Sequence, residues 1–114
     1  MQRVDANSKI SRAQLEEMSK KMLDNIVKAV VDVEKKVMLI DAPFHSDQEL
    51  VLLEEGSKQE NLWGINLHPL EQDEDFIVFY SMVNLRPSFG NSSRGIDDPR
   101  IKEQVRALVI ELVI

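Results

Sequence analysis

The sequence predicts an α+β fold: a mainly antiparallel sheet of about four strands with helices packed on it, in the order αββαββα. Three observations predict it. Helix-start residues stand ahead of apolar positions that recur every three or four residues, β-branched runs come in adjacent pairs, and short turn segments separate them. With 114 residues the chain has room for one domain around one core. That domain is expected to span residues 10–114, behind a flexible N-terminal arm, residues 1–9, of polar composition.

The first helix starts at Ser11, which with Gln14 makes a capping box, while Ile10 can pack on Leu15 as a hydrophobic staple. Leu15, Met18, Met22 and Ile26 then share one helical face, and the helix is expected to reach about Asn25. "VKAVVDVEKKVMLID" reads as two strands around a turn at 34–36. Both are apolar on both faces, which places them inside the sheet. Ser46 and Glu49 suggest a second capping box, and Gly56 a helix stop, so "SDQELVLLEEG" is expected to be a short helix.

"LWGINLHP" and "FIVFYSMVNL" form a second expected hairpin across the turn "LEQDED". Trp63, Ile65 and Leu67 alternate with Gly64, Asn66 and His68, and burial favours the register that groups the first set with Ile77, Phe79 and Val83. The reverse face then carries Asn66, His68, Val78, Tyr80, Met82, Asn84 and Arg86. In the last helix Asp98 is the expected N-cap, Pro99 the first residue, and Ile101, Val105, Leu108 and Leu112 the core stripe. Val109, Ile110, Val113 and Ile114 widen that stripe to an arc of roughly 240° at about 100° per residue. One sheet face does not cover such an arc, so either the first helix packs alongside as well or a second subunit does, and a homo-oligomer is the expectation.

Charge narrows the function. Residues 41–75 hold ten acids and one base, a net of −9 within a total of −6, so there is no basic stripe to displace counterions from phosphates and no nucleic-acid partner is expected. No run approaches the roughly 18 apolar residues of a membrane span. The absence of cysteine removes disulfides and soft-metal ligands, and "MQRVDANSKI" lacks a signal-peptide core, so a cytoplasmic location is expected.

The polar loop "RPSFGNSSRG" poses a choice. Its backbone, Arg86 and Arg94 can present an anion site near the start of the last helix. Equally, its caps, turns and ion pairs can serve only one another, since Asp97 and Asp98 already supply negative charge there. It is not a P-loop, as G-x-x-x-x-G-K-[ST] is missing. His45, Asp47 and His68 lack metal-ligand spacing; no metal and no cofactor are expected.

The expected ligand surface comprises Asn66, His68, Tyr80, Asn84 and Arg86, bordered by Asn91, Ser92 and Arg94. The asparagines would orient a ligand, the arginines would supply charge, and Tyr80 a flat wall. The function these residues suggest is a small binding or interaction module, its partner a small anionic ligand or another protein, with no catalytic residue identified. The alternative is a hydrolase or transferase on a small anionic substrate, with His68 as base and Arg86 as charge stabiliser, which requires both to line one cleft.

"HSDQELVLLEEGSKQENLWGINLHP" followed by "SMVNLRPSFGNSSRGIDDPRI" resembles a small prokaryotic family classified as a domain of unknown function. The likeness covers about residues 10–114. It implies a compact intracellular protein of this size, and it implies no activity and no functional residues.

Overall fold

The computed structural model describes residues 1–114. Its strands are β1 (Gln2–Val4), β2 (Val27–Asp32), β3 (Val37–Ile40), β4 (Leu62–Leu67) and β5 (Ile77–Val78). Its helices are α1 (Arg12–Ser19), α2 (His45–Glu54) and α3 (Pro99–Leu112). The strands form one antiparallel sheet in the order β1-β3-β2-β4-β5. This is the α+β class the sequence predicts, with one strand added at the front and five strands instead of four.

The added strand corrects the expected flexible arm. β1 pairs with β3, Gln2 opposite Ile40 and Val4 opposite Met38, and Val4 is fully buried. A three-residue strand with one inward side chain among polar neighbours leaves almost no alternation to read.

In α1 the capping box forms as expected: Gln14 N donates to Ser11 Oγ at 3.1 Å and Ser11 N to Gln14 Oε1 at 2.9 Å. The helix ends at Ser19, short of Asn25. Asp24 and Asn25 adopt φ of 63° and 52°, a left-handed conformation that no right-handed helix traverses and that Asp and Asn tolerate best among side-chain-bearing residues.

The β2–β3 hairpin turns where expected, with Lys36 at φ 57°. Buried Asp32 holds the turn: its Oδ1 accepts from Glu34 N and Lys35 N, both at 2.9 Å, and its Oδ2 from Ser57 Oγ at 2.6 Å. α2 begins one residue before Ser46, with Phe44 at the N-cap, so the expected Ser46 box does not form. Its end is as expected. Gly56, at φ 98°, and Ser57 donate back to Leu53 O and Leu52 O, both at 3.0 Å, the paired bonds that close a helix through a left-handed glycine.

Helices cover both faces of the sheet. Leu15 of α1 and Val105, Leu108, Val109 and Leu112 of α3 share a core with Ala29, Val31, Met38, Trp63, Ile65 and Leu67. On the reverse face Leu52 of α2 packs with Val30, Val37, Leu39 and Leu62. The phase of β4 is thus the expected one. At roughly 1.5–3 kcal/mol per fully buried aliphatic side chain before chain entropy, the five helix residues of the first core contribute on the order of 10 kcal/mol, so α1 and α3 belong to the core.

The second hairpin departs from expectation. β5 ends at Val78, and Ser81, whose Oγ accepts from Val83 N at 3.2 Å, starts a 3-10 turn over Met82–Asn84. Ile77 and Phe79 join the α1/α3 core, whereas Val83 lies against Gly64 on the α2 face. A Cβ on Gly64 would stand 2.6 Å from Ser81 Cβ and Oγ; the missing side chain is what lets the 80–84 segment cross β4 so closely. Asp98 and Pro99 open α3 as expected. Much of its apolar arc is covered internally: Val109 is buried and Val113 pairs with Ile10, leaving Ile110 and Ile114 exposed, at 62% and 71%. No helix is long and apolar enough to cross a membrane.

Candidate functional site

Along β4 the residues Leu62, Gly64 and Asn66 turn their backbone groups away from β2, but β5 reaches only Asn66 and Leu67. The upstream half of that edge is completed by side chains. Asn84, fully buried, accepts from Gly64 N at 2.8 Å and donates Nδ2 to Gly64 O at 2.9 Å, reproducing what a neighbouring strand would offer. Arg86 donates Nη2 to Leu62 O at 2.8 Å and Nη1 to Gln59 O, and its guanidinium stacks 4.4 Å from the Trp63 ring centroid. Burial lowers the Arg86 pKa, against the opposing effect of nearby Glu49, and the same burial raises Glu49 against the pull of Arg86.

The loop that follows binds itself in the same manner. Buried Asn91 donates Nδ2 to Asn84 O, Ser93 O and Gly95 O, and accepts from Asp97 N at 2.8 Å. Asp97 accepts from the Ser93 hydroxyl and from Ser92 N, bonds that hold its carboxyl below the usual range. Of the two readings of the loop, the self-tied one describes these contacts.

The eight expected ligand residues therefore do not converge. Asn66 and Tyr80 line one cleft, and Arg86 and Asn91 another of about 390 Å³ that also carries Glu60 and Asp98. Asn84 is sealed in the interior. Ser92 is engaged with Asp97, and exposed Arg94 donates to Tyr80 Oη at 2.8 Å. His68 lies beyond the end of β4, its N–H on Phe76 O at 2.7 Å, and lines neither cleft. The arrangement required for His68 and Arg86 to act together is not present. His45, Asp47 and His68 do not assemble either; no group of three or more His, Asp or Glu side chains is placed to hold a metal ion.

What sequence reasoning missed is the cleft containing Asn66 and Tyr80. It lies on the α2 face, where the start of α2 meets the 80–83 segment, and encloses about 240 Å³. Lys28 of β2 stands directly across from Asn66 in the ladder. His45, 9% exposed, donates Nε2 to Ile65 O at 2.8 Å. Since a carbonyl only accepts, Nε2 carries the proton and Nδ1 keeps its lone pair. Burial lowers the His45 pKa; the bond to Ile65 and the neighbouring Asn66 side chain oppose this and Lys28 adds to it, so the ring is neutral at neutral pH. Asn66 donates Nδ2 to Tyr80 O at 3.2 Å, while its Oδ1 is buried without a partner. The signals were spacing and alternation: His45, Gln48 and Leu52 fall on the inner stripe of α2, and Lys28 interrupts an otherwise apolar inner strand.

Residues 5–112 match the model of a family described as "Protein of unknown function (DUF5674)". The chain belongs to that family. The match covers nearly the whole fold, both clefts included, and agrees with the likeness read from the two long motifs. No curated protein and no solved structure matches the chain.

Proposed function

We propose that this family member is a small binding module without chemistry of its own, acting in the cytoplasm, and that its recognition site is the cleft at the start of α2. The observation that carries this reading is the convergence there of Lys28, the buried His45, Asn66 and the half-exposed Tyr80 ring, with no acidic side chain among them. Apolar walls with a few converging polar groups are what small-molecule sites share. The second cleft supports binding less well, because both Nη groups of Arg86 are committed to carbonyls, its face to a tryptophan, and its Nε is buried. That commitment also removes support for the hydrolase or transferase alternative.

The test is an amide-resolved NMR screen of the full chain against carboxylates, phosphates and nucleotides. Binding should move the signals of residues 44–46, 66 and 80–83. Shifts confined to residues 86–98 would relocate the site to the loop, and no shifts from any compound would count against a small-molecule role.

A further inference from the structure

The cleft at the start of α2 is positive in a negative chain. None of its nine lining residues is acidic. Lys28 takes part in none of the ion pairs that engage Arg3, Lys20, Lys21, Arg100 and Arg106, although the chain holds 20 Asp and Glu.

Two further features lie in the same cleft. Phe44 at the N-cap of α2 has no side-chain oxygen, so the first N–H groups of the helix carry no side-chain cap, and Phe44, His45 and Ser46 line the cleft. Inside, His45, nine-tenths buried, donates Nε2 to Ile65 O, and the Asn66 side chain lies beside it. Tyr80 and Met82, exposed at 49% and 60%, form an apolar wall. The volume of about 240 Å³ lies below the roughly 300 Å³ at which pockets for drug-sized ligands begin, which excludes anything as large as a dinucleotide.

We infer that the cleft binds a small aromatic acid, a carboxylate or phosphate monoester on a single ring. The anionic oxygens meet Lys28, and the ring lies against Tyr80 and Met82. This rests on the binding-module reading and names its ligand class.

The test titrates the full-length protein with 4-hydroxybenzoate, phenyl phosphate and the neutral 4-hydroxybenzyl alcohol, following the amides of residues 44–46, 66 and 80–83. At least one acid should saturate these shifts with Kd of about 1 mM or lower, and Lys28→Gln should weaken it about 10-fold or more while Lys28→Arg restores most of the loss. Which acid binds separates carboxylate from phosphate recognition. A melting temperature shared by wild type and Lys28→Gln shows that the fold is intact. If the alcohol binds as tightly as the acids, or Lys28→Gln leaves acid binding unchanged, charge recognition is refuted and the cleft survives as a site. If none of the three compounds moves the cleft amides, the inference is refuted and the unbiased screen decides the broader reading.

Discussion

Replacing Asn84 with alanine tests the central structural claim, that an amide side chain stands in for the missing part of β5. Asn84 makes three side-chain bonds, to Gly64 N, Gly64 O and Arg94 O, at 2.8, 2.9 and 3.0 Å. They are not equivalent. Arg94 O also accepts from Ser81 N at 2.9 Å and keeps a partner in the variant, whereas Gly64 N–H and C=O lose theirs in the interior. Two orphaned backbone groups at about 1–3 kcal/mol each, relieved in part by water entering the space vacated, give a loss of roughly 2–4 kcal/mol. Against a typical stability of about 5–15 kcal/mol this is large, and with an unfolding entropy of about 2.1 cal/mol/K per residue it lowers Tm by roughly 8–17 °C. Urea denaturation by linear extrapolation measures it, with an unchanged slope showing that the unfolded state is not the cause. Asn84→Asp keeps the acceptor for Gly64 N–H but turns a carboxylate toward two carbonyls, so it should be at least as destabilised at neutral pH and recover as the pH falls and the group protonates. A loss below about 1 kcal/mol in Asn84→Ala would refute the reasoning, since that is the size of an ordinary solvated hydrogen bond.

Other outcomes are equally definite. Gly64→Ala places a methyl 2.6 Å from Ser81 and 2.9 Å from Val83 Cγ2, and should cost about 1–3 kcal/mol by overpacking; unchanged stability in urea would mean that the 80–84 segment does not press on β4. Burial holds His45 below its ordinary 6.5, so its contribution to stability is fully present above that pH and is lost as pH falls through the lower folded value. Glu49, raised by burial, slopes the opposite way. The wild-type curve minus that of His45→Gln should therefore isolate the imidazole, and a flat difference from neutral pH downward would show that the ring is not held neutral. Self-association through Ile110 and Ile114 predicts a concentration-dependent sedimentation coefficient that Ile110→Asp abolishes; a monomer throughout would remove that interface.

Where the sequence was legible, several signals agreed. Ser11 with Gln14, Asp98 with Pro99 and Gly56 each mark a helix boundary by local hydrogen bonding, which owes nothing to the rest of the fold. The alternation of Trp63, Ile65 and Leu67 fixed the phase of β4 because a slip of one residue would bury Asn66 and expose indole. Legibility failed where distant structure decides. Val4 becomes a strand residue only because β3 has an open edge, and the stretch after Val78 leaves the sheet only because Gly64 gives Ser81 and Val83 room to cross. Ser46 loses the cap position to Phe44 although its spacing to Glu49 is favourable, and no local pattern signals this.

The separation of the expected ligand residues has a single physical origin. Buried asparagines and arginines look alike in sequence whether they await a ligand or complete a sheet, because both tasks need the same donors and acceptors. What separates them is the length of the strand before them. Had β5 continued to Leu85, the backbone of residues 80–84 would have satisfied Gly64 and Leu62, leaving Asn84 and Arg86 free for a ligand. Since β5 stops at Val78, those two side chains satisfy the edge themselves. Buried polar atoms without partners remain around Arg86 as well, at Glu49 Oε2, Trp63 Nε1 and Arg86 Nε, whereas in the cleft at the start of α2 Lys28 has no carboxylate among the lining residues. Shortening one strand thus commits Asn84 and the Arg86 Nη groups to the β4 edge and separates them from Asn66 and Tyr80.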